Sequence, residues 1–438
     1  MPPHTLLSAG SNAQGQLATG DTEDAYSFTP CSFLGCQLGA LPSGTTRVLN
    51  IACGANHTLL CLERSDTQGS LSSSRIELWG SGDGSKGQLG PSVTTSTQIF
   101  RALDFDLDGL GLGGYTVIQV AACWETSYVV LRCDGLSDVL LSMGADDYGD
   151  LGVGGVKTTS KKPHDGVYTV DLLENGLSTK YSGATINARS LVTGPHHVLV
   201  VLSLSTSDGQ TFEHLVGWGS SRHGQLGDRK DPGKGKPIPF ISSPHPIPLN
   251  RGQGHDTTIL QVAAGTHHTV ILHPPGRLSG LGSNRKGQLT VIDELRHVTR
   301  IGCTWNSTYA VIRQDDAWSI MSTGNHTKGQ LGRQVHRDAS HVHAMADVCF
   351  PFSHRTHELV KMACGSEHIL TLVKDTTCQP PRTAVWGWGW NEHGNLGLAH
   401  TEDQDLPAQM WASHESQPSS QAVGIWAGCG TSWILLDS

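Results

Sequence analysis

Four histidines, His57, His197, His268 and His368, sit at the same place in a recurring pattern, each opening an apolar run. Imidazole is the commonest general base near neutral pH. No nucleophile, base and orienting group stand together around these histidines, however, so they are read as hydrogen-bonded core residues and no enzyme is predicted. Metal chemistry fares no better. Cys31 and Cys36 lack a matching second pair, and His341, His343, Cys349, His354 and His357 lack zinc-ligand spacing. Asp104, Asp106 and Asp108 open like a calcium loop, but its last position is Tyr115, where a bidentate Glu is needed. Gly109, Gly111 and Gly114 match a dinucleotide fingerprint but precede a strand-like YTVIQVAAC instead of a helix. No cofactor or metal is predicted. What remains is aromatic area beside carboxylates and amides, the composition of a protein interface. Trp124 and Glu125, Trp305 and Asn306, and Trp390, Asn391, Glu392 and His393 are the candidate partner-binding residues.

The elements that must position them are repeats. A glycine pattern, seen as GSNAQGQL from Gly10 and GDGSKGQLG from Gly82, occurs seven times, with the second glycine five residues after the first. A second pattern, an apolar pair, a small-residue turn and an apolar run, also occurs seven times, as in IACGANHTLL from Ile51 and VAAGTHHTVIL from Val262, and the two alternate throughout. Runs such as IELWG end at the glycine loop. With one further strand between loop and second pattern, each unit becomes a four-stranded antiparallel meander. Seven such units predict an all-β, seven-bladed β-propeller. It forms a single domain over residues 1–438 with a long Pro/Gly-rich loop at 228–258. The ring is expected to close by pairing Thr5–Gly10 with Thr431–Leu436, which removes exposed strand edges. Up-and-down topology places glycine loops and turns on one rim. It assigns the 228–258 connection and hairpin tips such as Ser65–Ser74 to the other, and leaves Trp386 and Trp388 to pack between blades.

Composition agrees with a turn-rich, buried chain. Glycine is 53 of 438 residues, against a usual value of about 7%, and charged residues are 16% against about 25%. A formal charge of −9 without like-charged blocks argues against direct binding of nucleic acid or anionic membrane. The longest strongly apolar segment, Val198–Leu204, is too short to span a bilayer. A soluble chain in a reducing compartment, cytoplasmic and nuclear, is expected, with its 11 cysteines as free, mostly buried thiols.

The WGSNxxGQLG and VAxGxxHTxxL patterns resemble the regulator of chromosome condensation repeat family, whose fold is a seven-bladed propeller, over Leu6 to Leu436. Two units depart from the common form, carrying Cys123-Trp124-Glu125-Thr126 and Thr304-Trp305-Asn306-Ser307. With WGWGWNEHGNLG near the C-terminus, they make the chain most similar to the family's fungal alpha-tubulin-suppressor, or killer-toxin-insensitivity, branch. That resemblance implies a non-catalytic partner, in a heterodimer, of the small zinc-ribbon electron carrier of diphthamide synthesis. It also implies an accessory role to the Elongator complex in tRNA wobble-uridine modification. The broader family implies an alternative, guanine-nucleotide exchange on a small GTPase. Ultraviolet sensing, known from plant relatives, would need a repeated GWRHT signature that this chain lacks.

Overall fold

In the computed structural model, residues 4–65, 74–154, 166–231, 233–249, 258–315, 317–335, 344–413 and 420–437 are described. Central strands such as His57–Ser65 are apolar without alternation, because a blade inside a ring is covered on both faces. Leu59, Leu60 and Leu62 are fully buried. The strands form seven antiparallel sheets around an axis, as the repeats predict.

In order outward from the axis, blade one comprises Thr45–Cys53, His57–Ser65, Ser74–Gly82 and Thr97–Ala102. Blade two comprises Thr116–Ala122, Thr126–Arg132, Val139–Gly144 and Val167–Val170, and blade three Thr185–Thr193, His197–Ser205, Thr211–Ser220 and Phe240–Pro246. Blade five contains Val298–Cys303, Ser307–Gln314, Ala317–Gly324 and Ala346–Asp347, and blade six His357–Cys364, His368–Asp375, Arg382–Gly389 and Gln404–Ala412.

Blade four departs from the four-stranded expectation. Among the described residues it has three strands, Gln261–Ala264, His268–His273 and Arg277–Gly282. Its repeat interval, Gly282 to Gly324, is the shortest in the chain. A 3-10 turn, Ile292–Glu294, packs its buried Ile292 against the third strand, where an outer strand would lie.

Blade seven closes the ring. Its strands are Gln421–Ala427, Thr431–Asp437, His4–Gly10 and Ala25–Pro30, and His4–Gly10 pairs antiparallel with Thr431–Asp437 from His4↔Asp437 to Gly10↔Thr431.

The core is divided among the blade interfaces. Seven apolar clusters each join two neighbouring blades; Leu59, Leu78 and Leu103 of blade one, for example, meet Val117, Val129 and Leu141 of blade two. As expected, Trp388 is fully buried between blades and Trp386 packs partly buried against the same cluster; Trp218 is fully buried at another interface. Among the described residues, no helix is long and apolar enough to cross a membrane.

Candidate partner-binding rim

Glycine loops and second-pattern turns share one rim, and one hydrogen bond repeated in every blade holds them there. The residue after each loop's first glycine donates its N–H to the turn carbonyl just before the histidine position. These bonds are Asp83 to Asn56, Ala145 to Glu125, Ser220 to His196, Ser283 to His267, Asn325 to Asn306, Trp390 to Glu367 and Ser11 to Gly430, at 2.6–3.0 Å. Gly82 shows why the loop begins with glycine. Its φ is +93°, and a Cβ there would collide with the Asn56 carbonyl oxygen. The loop glutamines Gln16, Gln88, Gln225, Gln288 and Gln330 each accept from the N–H two residues earlier at 2.8–3.1 Å. Main-chain groups of Glu125 and Asn306 therefore serve the scaffold.

The repeat histidines are staples between blades, the core role their position predicts. Nε2 of His57 meets Ser127 of the next blade at 2.8 Å, His268 meets Thr308 at 3.2 Å and His368 meets Ser432 at 3.1 Å. His197 reaches Thr269 at 3.5 Å. The Thr269 and Thr308 hydroxyls spend their protons on the carbonyls of Gln225 and Gln288, so His197 and His268 must donate from Nε2. The Nδ1 atoms of all four are buried and find no partner among the described residues. Burial pushes the imidazoles down, His57, His268 and His368 to about 4 and His197 to about 3, so all are neutral at physiological pH.

Each stapling ring lies against the glycine three residues before it. A Cβ on Gly54, Gly194, Gly265 or Gly365 would overlap the imidazole of His57, His197, His268 or His368. In blades two and five, Thr126 and Ser307 replace the histidine, and Cys123 and Thr304 replace the glycine. In these two blades loss of the ring frees the space that the glycine protected; in blade seven Thr431 also replaces the histidine, but Gly428 is kept because Cys53 and Thr431 crowd its Cβ position.

Those two blades carry tryptophan in the altered turn. The turns surround the mouth of a central channel of about 330 Å³, lined by inner-strand ends that include Cys53, Cys123, Cys303, Cys364 and Cys429. Main-chain bonds run around this mouth from blade to blade: Ala55 donates to Trp124, Trp124 to Pro195, Thr266 to Trp305 and Trp305 to Ser366, at 2.7–2.9 Å. Pro195, without an N–H, donates no such bond to blade four. Trp124 and Trp305, from blades two and five, meet over the opening with ring centroids 5.9 Å apart. Trp124 is 37% exposed, high for a side chain of this size. His196 lies 5.9 Å from Trp124 and 4.5 Å from Tyr148, itself an exposed ring on the loop of blade two. Neither His196 nor Tyr148 is singled out by the repeat pattern, although Tyr148 is the one aromatic residue within GADDYGDLG.

The remaining candidates divide. Asn306 donates from Nδ2 to Glu367 at 2.6 Å, Gln330 donates to the other Glu367 oxygen at 3.0 Å, and burial raises that carboxyl above its ordinary range. Trp390 donates from Nε1 to exposed Glu392 at 3.1 Å and packs 5.3 Å from His393, which is bonded to Asp24 at 2.7 Å. Asn391 does not reach the surface. It is fully buried, with its Oδ1 accepting from Leu396 and its Nδ2 donating to the carbonyls of His400 and Glu402, so it shapes the loop instead of meeting a partner. Among the described residues no three His, Cys, Asp or Glu side chains gather as a metal-binding group; His341 and His343 lie outside the described residues.

The Pro-rich connection corrects the expected rim assignment. Ser220 pairs with Phe240, and Ser221 donates to the Pro239 carbonyl at 3.0 Å, so residues 228–231 and 233–239 lie on the same rim as the turns. Phe240–Pro246 is the outer strand of blade three, where proline is tolerated because one edge needs no ladder bonds. The chain reaches the opposite rim only after it, and 250–257, with most of the Ser65–Ser74 tip, lie outside the described residues.

The regulator of chromosome condensation repeat model matches residues 4–61, 214–272 and 384–435. The chain is 25% identical to the ultraviolet-B receptor UVR8 of Arabidopsis thaliana, across 98% of this chain and 83% of that one. It is 23% identical to the mouse secretion-regulating guanine nucleotide exchange factor, across 98% and 82%. The crystal structure of human WBSCR16 covers 99% of both chains at a TM-score of 0.65 and 18% identity.

Proposed function

We propose that this chain, a propeller of regulator of chromosome condensation repeats, is a non-catalytic docking platform that binds a smaller protein on the rim carrying Trp124 and Trp305. The observation that carries the reading is the indole pair itself. The two blades that gave up the glycine and histidine staple both placed tryptophan at the channel mouth, where aromatic area serves association at low entropic cost. The resemblance of the motifs to the alpha-tubulin-suppressor branch supplies the partner: the small zinc-ribbon electron carrier of diphthamide synthesis, with an accessory role in Elongator-dependent tRNA modification, in cytoplasm and nucleus.

Calorimetry with the purified zinc-ribbon protein tests this. Trp124→Ala and Trp305→Ala are each expected to weaken association by about 1–3 kcal/mol with little change in melting temperature. Absence of association with the intact chain would overturn the partner. The alternative, nucleotide exchange on a small GTPase, draws support from the mouse exchange factor among the relatives. Faster release of bound guanine nucleotide from a GTPase, with no zinc-ribbon binding, would decide for it.

A further inference from the structure

The platform rim is electrically lopsided. Side by side, the loops of blades three and four present Arg222 and His223 beside Arg285 and Lys286, with the His223 and His267 rings 4.1 Å apart. Burial and the nearby Arg285 hold both of these imidazoles below their ordinary range. Arg222, Arg285 and Lys286 are exposed and make no ion pair among the described residues, although Lys286 lies within electrostatic reach of the partly buried Glu367; Arg64 and Arg132, by contrast, are matched to Glu77 and Asp138 at 2.6 Å each. The connection of blade three adds exposed Lys230, Lys234 and Lys236 on this same rim, interspersed with Asp228 and Asp231. Elsewhere on the rim the acidic side chains include Glu125, Asp146 and Asp147 of neighbouring blade two, Glu392 of blade six and Asp24 of blade seven. In a chain of formal charge −9, this concentration of exposed cations near exposed Trp124 and half-buried Trp305 is a local feature, not a bulk property.

We propose that blades three and four form a carboxylate-binding arc, so that the docked protein lays an acidic segment over Arg222, Arg285 and Lys286 while an apolar side chain meets the Trp124–Trp305 pair. This deepens the docking reading and rests on it. Nucleic acid is disfavoured as the occupant because the whole chain's negative field repels a polyanion. A short acidic segment gains the local contacts without that long-range cost, and opposed charge across an interface fixes register and speeds encounter.

The test uses the full chain and a rhodamine-labelled synthetic peptide of alternating Glu and Leu, followed by fluorescence anisotropy. Saturable binding is expected, with Arg222→Glu/Arg285→Glu weakening it by about tenfold or more and shifting preference toward the matching Lys/Leu peptide. Equal binding of both peptides by the unaltered chain, or no effect of the charge reversal, would overturn the proposal. So would displacement of the peptide by inorganic phosphate or tighter binding of an oligouridine. With the purified zinc-ribbon protein as ligand, loss on Trp124→Ala but none on charge reversal would sink the acidic arc and leave the docking reading standing. No loss in either variant would sink both.

Discussion

At the scale of single residues, the four stapling histidines make the ring acid-sensitive. Their folded values, about 3 to 4, lie below the ordinary 6.5, so between those limits the unfolded chain binds protons that the native chain refuses. Stability from these groups is complete above about pH 6.5 and is lost as pH falls toward 4, at up to about 1.4 kcal/mol per pH unit for each imidazole. Melting temperature measured from pH 7.5 to 4.5 is expected to fall steeply below 6.5. Substituting Thr for each of the four histidines in turn should flatten the curve step by step, and an unchanged slope would refute the staple. The pairing of glycine with histidine has its own test. Gly54→Ala should cost about 1–3 kcal/mol by overpacking the His57 ring. In a His57→Thr background the same change should cost less, with partial relief only, because the Cys123 carbonyl also lies 2.6 Å from the new Cβ. Additive costs in a double-mutant cycle would show that glycine and histidine are independent.

At the scale of the element, neighbouring blades are stitched through single carbonyls. In blade five, Tyr309 donates to the Gln330 carbonyl at 2.7 Å and Trp388 of blade six donates to the same oxygen at 2.9 Å. In blade two, Tyr128 and Trp218 of blade three share the Asp150 carbonyl at 2.6 and 2.8 Å. Because the second donor remains, Tyr309→Phe and Tyr128→Phe should each cost only about 1 kcal/mol. The two sites belong to separate apolar clusters, so the double variant is expected to lose the sum in denaturant unfolding. A loss far beyond the sum would mean that the interfaces do not act as independent units.

At the scale of the whole molecule, stability depends on closure. Thr431–Asp437 is sandwiched between Gln421–Ala427 and His4–Gly10, so deleting 431–438 removes an interior strand and leaves two edges without their ladder. Cooperative folding should be lost and aggregation follow. A truncated chain that melts like the intact one would refute closure by this pairing.

Blade number, strand order and closure were legible in the sequence because they rest on short-range demands repeated in each unit. A loop whose first glycine touches the turn carbonyl, and a turn followed by strands buried on both faces, leave the same residue types at the same spacing each time. Strand runs broken by proline escaped the pattern. Phe240–Pro246 reads as loop but forms an outer strand, and this places residues 228–231 and 233–239 on the rim of the turns. Asn391 looked like an exposed loop amide, yet its bonds to Leu396, His400 and Glu402 turn it inward. The meeting of Trp124 with Trp305, and of Arg222 and His223 with His267 and Arg285, belongs to the tertiary structure alone. Each blade's pattern specifies its own turn, but only curling the blades into a ring brings residues of distant or neighbouring turns to one mouth, at distances that the spacing along the chain does not encode.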